Sequence, residues 1–101
     1  MNDDRLRVVI HAADAESLAR ARSNAANLQA DVADAEIEIV INAAAVAAAI
    51  RAPHATDPYL RVCENTLRNK DLPAPAEWLR VPAAITHLAR RQQAGWAYVR
   101  A

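Results

Sequence analysis

The sequence of 101 residues contains a single glycine, Gly95. Loops that hold phosphate groups need several glycines, because a backbone without side chains lets its N–H groups approach the phosphate oxygens closely. No such loop can be written anywhere in this chain. The scarcity of glycine therefore argues against nucleotide chemistry of the Rossmann or P-loop kind, and we predict no cofactor.

Cysteine, charge of one sign and long apolar runs are also scarce. The single cysteine, Cys63, cannot form an internal disulfide, so the secreted, disulfide-stabilised class is not expected. The 12 basic and 12 acidic side chains cancel, which leaves no field that attracts nucleic acid or an anionic membrane. The longest apolar run, residues 43–50, is far shorter than the roughly 20 residues that span a bilayer. The polar start, residues 1–5, lacks the features of a signal peptide. We expect a soluble, cytoplasmic protein.

Alanine is abundant, with 26 of the 101 residues, and the apolar share is 53%. A chain of this length is expected to form one domain, spanning residues 1–101. Alanine favours helices but buries little area per residue. Contacts between subunits would add stability to such a domain, which favours a homo-oligomer.

Short β-branched runs alternate with helical patterns along the whole chain. The predicted strands are residues 6–11, 36–41, 58–63, 78–81 and 96–100, and the predicted helices are residues 15–32, 43–51, 64–70 and 82 or 83 to 93. This alternation predicts an α/β fold: a three-layer α/β/α domain with a mostly parallel five-stranded sheet and flavodoxin-like winding.

Polar and reactive side chains stand where three of these strands end. In a parallel sheet the carboxyl ends of the strands share one edge, which would carry His11, Asn42, Cys63 and the Val81-Pro82 corner. Cys63 also precedes a predicted helix, whose unpaired N–H groups lower the pKa of a thiol and favour the nucleophilic thiolate. The neighbouring carboxylate of Glu64 acts against the thiolate.

Several segments together resemble the DsrE/DsrF-like family across nearly the whole chain. They are Arg7-Val8-Val9-Ile10-His11, Val40-Ile41-Asn42-Ala43, Cys63-Glu64-Asn65-Thr66-Leu67, Val81-Pro82-Ala83, Gln93-Ala94-Gly95 and Trp96-Ala97-Tyr98-Val99. Members of the family are small α/β proteins, often trimers or hexamers. Several of them carry sulfur as a persulfide on a cysteine at the position that Cys63 resembles. This chain departs from the family at Ala43 or Ala44, where a glycine is common.

Two functions follow as expectations. In the first, Cys63 holds persulfide sulfur and passes it to a partner protein, so that the activity is at most that of a sulfurtransferase. His11, Asn42, Asn65 and Thr66 are then predicted to bind substrate or support the thiol. In the alternative, the protein is an oligomeric small-ligand or protein-interaction module with a structural cysteine and no catalytic activity. The resemblance implies a homo-oligomer (trimer or hexamer, or else a dimer) and sulfur donor and acceptor proteins as partners.

The remaining candidate residues favour structural interpretations. His54 and His87 lack the paired spacing of metal ligands, and no metal site is predicted. His87, Arg90 and Arg91 lie near the end of the last predicted helix, where cations suit the helix dipole, and are expected on a solvated face. Trp96 and Tyr98 are expected in the core or at a subunit contact.

Overall fold

The computed structural model describes residues 4–101; residues 1–3, which begin the predicted domain and its polar N-terminal segment, lie outside the described residues. The strands are β1 (Arg7–Ala12), β2 (Glu36–Ile41), β3 (Leu60–Cys63), β4 (Leu79–Val81) and β5 (Ala97–Arg100), and the helices are α1 (Ala15–Asp31), α2 (Ala44–Arg51), α3 (Glu64–Lys70) and α4 (Ala84–Gln93).

Every predicted strand and helix is present, with bounds that differ by at most two residues. The largest difference lies at the third strand, where Pro58 and Tyr59 were expected to pair in the sheet. They lie instead in a 3-10 helix, Asp57–Tyr59. Proline has no N–H to donate to a neighbouring strand, and its fixed φ suits the first turn of a helix. The strand therefore begins only at Leu60.

The sheet is parallel throughout, with the strand order β4-β3-β2-β1-β5. The predicted five-stranded α/β/α fold is confirmed. Its strand order is not the 2-1-3-4-5 order of flavodoxin. Three successive crossovers each add a strand on the same side, and the chain reverses only at the last one, from β4 to β5. Alternation of strands and helices predicts parallel pairing but does not say where the chain reverses.

The two faces of the sheet are covered unequally. On one face, Ile37, Ile39 and Ile41 pack in a large cluster with residues of α1, α2 and α3. On the other face the helical cover comes from α4, and the smaller cluster there contains Val9, Val40, Cys63, Ala84 and Leu88, with Trp96 beside it. The alternation of β2 thus places Glu38 and Val40 beneath α4.

Candidate functional site

Cys63 lies at the point where β3 ends and α3 begins, as predicted. It pairs with Val81 at the end of β4. The residue is a free cysteine with 6% of its surface exposed. Its neighbours in the smaller cluster are apolar residues of β1, β2 and α4. The thiol is therefore covered mainly by α4.

The groups around the Cys63 sulfur favour its anionic form. Burial raises the pKa of the thiol, but the N–H groups of Thr66, Ala84 and Asn65 and the hydroxyl of Thr66 more than offset this effect, so the net pKa lies below its usual value. The thiol makes no side-chain capping hydrogen bond to α3. The N–H groups and the Thr66 hydroxyl therefore act on the sulfur as nearby dipoles, and their attraction to the sulfur becomes stronger when the thiolate forms.

Thr66 connects the thiol to the end of β2. Its Oγ1 accepts a hydrogen bond from the N–H of Ala43 at 3.1 Å, which leaves the hydroxyl hydrogen to donate toward Cys63. Asn65 contributes through its backbone N–H, whereas its side-chain oxygen accepts a bond from Arg68. Of the two predicted supporting residues on α3, only Thr66 acts on the sulfur through its side chain.

Ala43 adopts an unusual backbone conformation beside this site, with φ 50° and ψ −135°. A side chain with a Cβ is strained at such a positive φ, and glycine is not. The residue is one of the two, Ala43 and Ala44, at which the resemblance expects glycine. The turn between β2 and α2 therefore has a backbone conformation that favours glycine but is occupied by alanine.

His11 and Asn42 contact one another rather than the thiol. The Nε2 of His11 lies 3.0 Å from the Oδ1 of Asn42, and its Nδ1 lies 3.0 Å from the hydroxyl of Tyr98 on β5. Because an amide oxygen only accepts, Nε2–H donates to Asn42, and in the neutral ring Nδ1 accepts the Tyr98 O–H. Within residues 4–101 no hydrogen bond joins His11 to Cys63. Asn42 follows Ile41, which pairs with Val62, so its backbone reaches the level of Cys63.

The arginines near Cys63 have partners elsewhere. Arg68 forms an ion pair with Glu64 one turn earlier on α3, with a separation of 3.8 Å. Arg61 lies 3.4 Å from a carboxylate oxygen of Glu38. The carboxylate of Glu64 is thus balanced by Arg68, and the thiolate depends on N–H and hydroxyl groups rather than on a cation.

A buried charged cluster beneath α4 was missed by the sequence interpretation. Glu38 is 3% exposed and accepts two bonds from Arg91, at 3.1 and 2.7 Å, while His87 lies 2.7 Å from the same carboxylate. His87 and Arg91 are partly buried against Glu38 instead of lying on a fully solvated face as expected, whereas Arg90 is exposed. Residues four apart on a helix share a face, and here that face is turned to the sheet. Burial raises the pKa of Glu38. The bonds from Arg91 and His87 and the charge of Arg61 have a larger, opposite effect, so the net pKa lies below its usual value.

Among the described residues, no three histidine, cysteine or acidic side chains are grouped so that they could hold a metal ion. Within residues 4–101, no helix combines the length and the apolar character needed to cross a bilayer.

No protein-family model matches this chain, and no curated protein matches it. Among solved structures it is similar to a protein of unknown function, MTH1491, from Methanobacterium thermoautotrophicum. The two chains share 27% sequence identity and superpose with a TM-score of 0.79, over 95% of this chain and 99% of the other. This similarity supports the fold.

Proposed function

We propose that this protein is a sulfur carrier of the DsrE/DsrF type that holds persulfide sulfur on Cys63. The observation that supports the proposal is the position of Cys63, which lies at the junction of β3 and α3 and packs against Ala84 at the start of α4. At this position the N–H groups of Thr66, Ala84 and Asn65 and the Thr66 hydroxyl lower the pKa of the thiol. These groups stabilise negative charge on sulfur. A carrier needs such stabilisation twice, for the thiolate that accepts sulfur and for the persulfide that holds it.

The transfer is a balanced exchange of one sulfur atom. The thiol of Cys63 first loses its proton to solvent. The thiolate then attacks the outer sulfur of a donor persulfide, R–S–S⁻; the S–S bond of the donor breaks, a new S–S bond forms on Cys63, and the donor leaves as R–S⁻. An acceptor thiolate takes the outer sulfur in the same way and releases the Cys63 thiolate. No oxidant or reductant is required, and both exchanges need a partner thiol, because the chain has one cysteine.

Mass spectrometry of the folded protein after incubation with glutathione persulfide tests this proposal. We expect a gain of one sulfur atom on the peptide that contains Cys63, and no gain in the Cys63→Ser variant. Because the residue is only 6% exposed, the same incubation in urea is the necessary comparison. If the thiol gains sulfur in urea but never in the folded protein, the proposal is wrong.

The alternative, an oligomeric interaction or small-ligand module without catalytic activity, is favoured by a different observation. Cys63 is packed among Val9, Val40, Ala84 and Leu88, as a structural cysteine would be. Under this alternative, Cys63→Ala retains the binding of partners and the assembly of subunits, and only stability changes. Under the sulfur-carrier proposal, the same variant loses sulfur transfer entirely.

The proposed partners are further copies of this chain, in a trimer or hexamer or else a dimer, with a sulfur donor and an acceptor protein. Exposed apolar side chains at both edges of the sheet, Leu79 on β4 and Tyr98 and Val99 on β5, support self-association. The proposed location is the cytoplasm, where reducing conditions keep a lone thiol available. Nucleic acid is not among the proposed partners.

A further inference from the structure

A polar cleft lies at the end of α4 opposite to Cys63. Its volume is about 440 Å³, and its polar and aromatic lining comes from Glu36, Glu38, Tyr59, Arg61, Arg91 and Trp96. The pairing of β2 with β3 begins only at Ile39, so the first residues of β2 have no β3 neighbour there. The late start of β3 thus leaves the cleft open beside the sheet.

Positive charge exceeds negative charge where Arg61 and Arg91 face Glu38. The carboxylate of Glu38 forms ion pairs with Arg91 at 2.7 Å and with Arg61 at 3.4 Å, and His87 lies 2.7 Å from it. It neutralises at most one of the two guanidinium charges. The other carboxylate of the cleft, Glu36, is paired with Arg5 at 2.7 Å and with Arg7 at 3.4 Å, so its charge is also balanced.

Both arginines retain unused N–H groups. Arg91 bonds Glu38 through Nε and Nη2, and Arg61 bonds backbone carbonyls through Nη1 and faces Glu38 through Nε. In the part of the chain that the structure describes, Nη1 of Arg91 and Nη2 of Arg61 have no hydrogen-bond partner. The side chains are 36% and 21% exposed, which allows these donors to meet a ligand.

Aromatic side chains complete the cleft. The guanidinium carbon of Arg91 lies 4.6 Å from the centre of the Trp96 ring, a cation–π contact that fixes the position of both groups. Tyr59 is tied by its hydroxyl to Gln29 of α1. The cleft thus has anchored aromatic side chains and is not lined by charge alone.

We propose that this cleft binds a small organic oxyanion, a carboxylate or a phosphate monoester, through the free N–H groups of Arg61 and Arg91. Guanidinium groups bind oxyanions through charge-assisted bonds, and here each arginine offers one nitrogen, Nη1 of Arg91 and Nη2 of Arg61, so that the two side chains together can bind a ligand's oxygens. The volume lies at the lower end of the range of roughly 300–1,000 Å³ for small-molecule sites, which fits a single small molecule. Glu38 competes with the ligand for the same guanidinium groups and therefore sets its affinity.

NMR titration with phenyl phosphate and with benzoate tests the site and distinguishes the two ligand classes. Ionic strength is held constant with sodium chloride, and the Trp96 indole and the backbone amides are followed. We expect saturable shifts confined to the cleft with at least one probe. Shifts that never saturate with either probe, or that spread over the whole surface, overturn the proposal.

Three variants identify the groups responsible. Arg61→Gln is expected to weaken binding about tenfold, which corresponds to roughly 1.4 kcal/mol. Arg90→Gln, an exposed neighbour of Arg91 outside the cleft, is expected to change nothing. Glu38→Gln removes the competing carboxylate and is expected to tighten binding. The proposal is contradicted if Arg61→Gln and Arg90→Gln lose affinity equally, or if folded Glu38→Gln binds more weakly than the unmodified protein. If Glu38→Gln does not fold, the comparison of Arg61→Gln with Arg90→Gln decides.

Discussion

The hydroxyl of Thr66 links two parts of the candidate site, because it accepts a bond from Ala43 and donates toward Cys63. Thr66→Val keeps the shape of the side chain and removes this hydroxyl. We expect the pKa of the Cys63 thiol to rise and its alkylation by iodoacetamide near neutral pH to slow. Loss of the surface hydrogen bond from Ala43 should also lower the free energy of unfolding, by less than about 1 kcal/mol, because water can replace the hydroxyl.

Asn65→Ala is the matched control for that measurement. Asn65 acts on the sulfur through its backbone N–H, which alanine retains, and its side chain bonds only Arg68 in the described part of the chain. Its alkylation profile against pH should therefore match that of the unmodified protein. Equal effects of the two substitutions would show that the Thr66 hydroxyl has no specific role.

Ala43 stores backbone strain that a single substitution releases. At φ 50° and ψ −135°, Ala43→Gly removes the clash of the Cβ, and we expect the free energy of unfolding to increase by about 1 kcal/mol. Ala47→Gly, in the middle of α2, should decrease it by a similar amount, because glycine weakens a helix interior. Urea unfolding of both variants measures the difference. If Ala43→Gly is less stable than the unmodified protein, Ala43 is not strained as we infer.

At the scale of elements, α4 joins the candidate thiol site to the charged cluster. Its first residue, Ala84, presents an N–H to Cys63, and His87 and Arg91 hold Glu38 further along. We expect Glu38→Gln to lower the free energy of unfolding at neutral pH by about 2 kcal/mol, because the charge-assisted bonds from Arg91 weaken and Arg61 loses its counter-charge, while both guanidinium groups stay partly exposed to solvent. Glu16→Gln, at an exposed ion pair of α1, should change it by less than about 0.5 kcal/mol.

The stability from Glu38 also depends on pH in a defined direction. Its pKa in the folded protein is below that in the unfolded chain, so this stabilisation is complete above the unfolded value and is lost as pH falls through the folded value. Urea unfolding at a series of acidic pH values should show a shallower acid loss for Glu38→Gln than for the unmodified protein. If both proteins lose the same free energy of unfolding as the pH falls, other carboxylates determine the loss of stability in acid.

Some of these element-scale features follow from the sequence and others cannot. The β-branched run of β1 and the helix beginning after Cys63 are local patterns, and both were predicted. The Glu38 cluster was not, because Glu38 is 49 residues from His87 and 53 from Arg91, and no local pattern says which face of α4 meets the sheet. The contact of His11 with Tyr98 depends on β5 pairing with β1, a consequence of the strand order.

At the scale of the whole molecule, the sheet formed by the described residues has two open edges, and β5 is the more apolar of them for contact with a second copy. All four residues of β5 are exposed, and within residues 4–101 this strand pairs on one side only, with β1. An edge strand with free N–H and C=O groups and exposed Tyr98 and Val99 is a template for pairing with another chain.

We therefore expect the chain to self-associate through β5 and Val99→Lys to produce monomers, because an edge lysine opposes strand pairing. Sedimentation equilibrium of the unmodified protein and the variant over a concentration series measures this change in mass. Ile85→Lys places the same charge on the exposed surface of α4, where the side chain is 75% exposed, and should leave the mass unchanged. If Ile85→Lys dissociates the assembly and Val99→Lys does not, the subunits meet on the α4 face, and the cover over Cys63 becomes part of the interface.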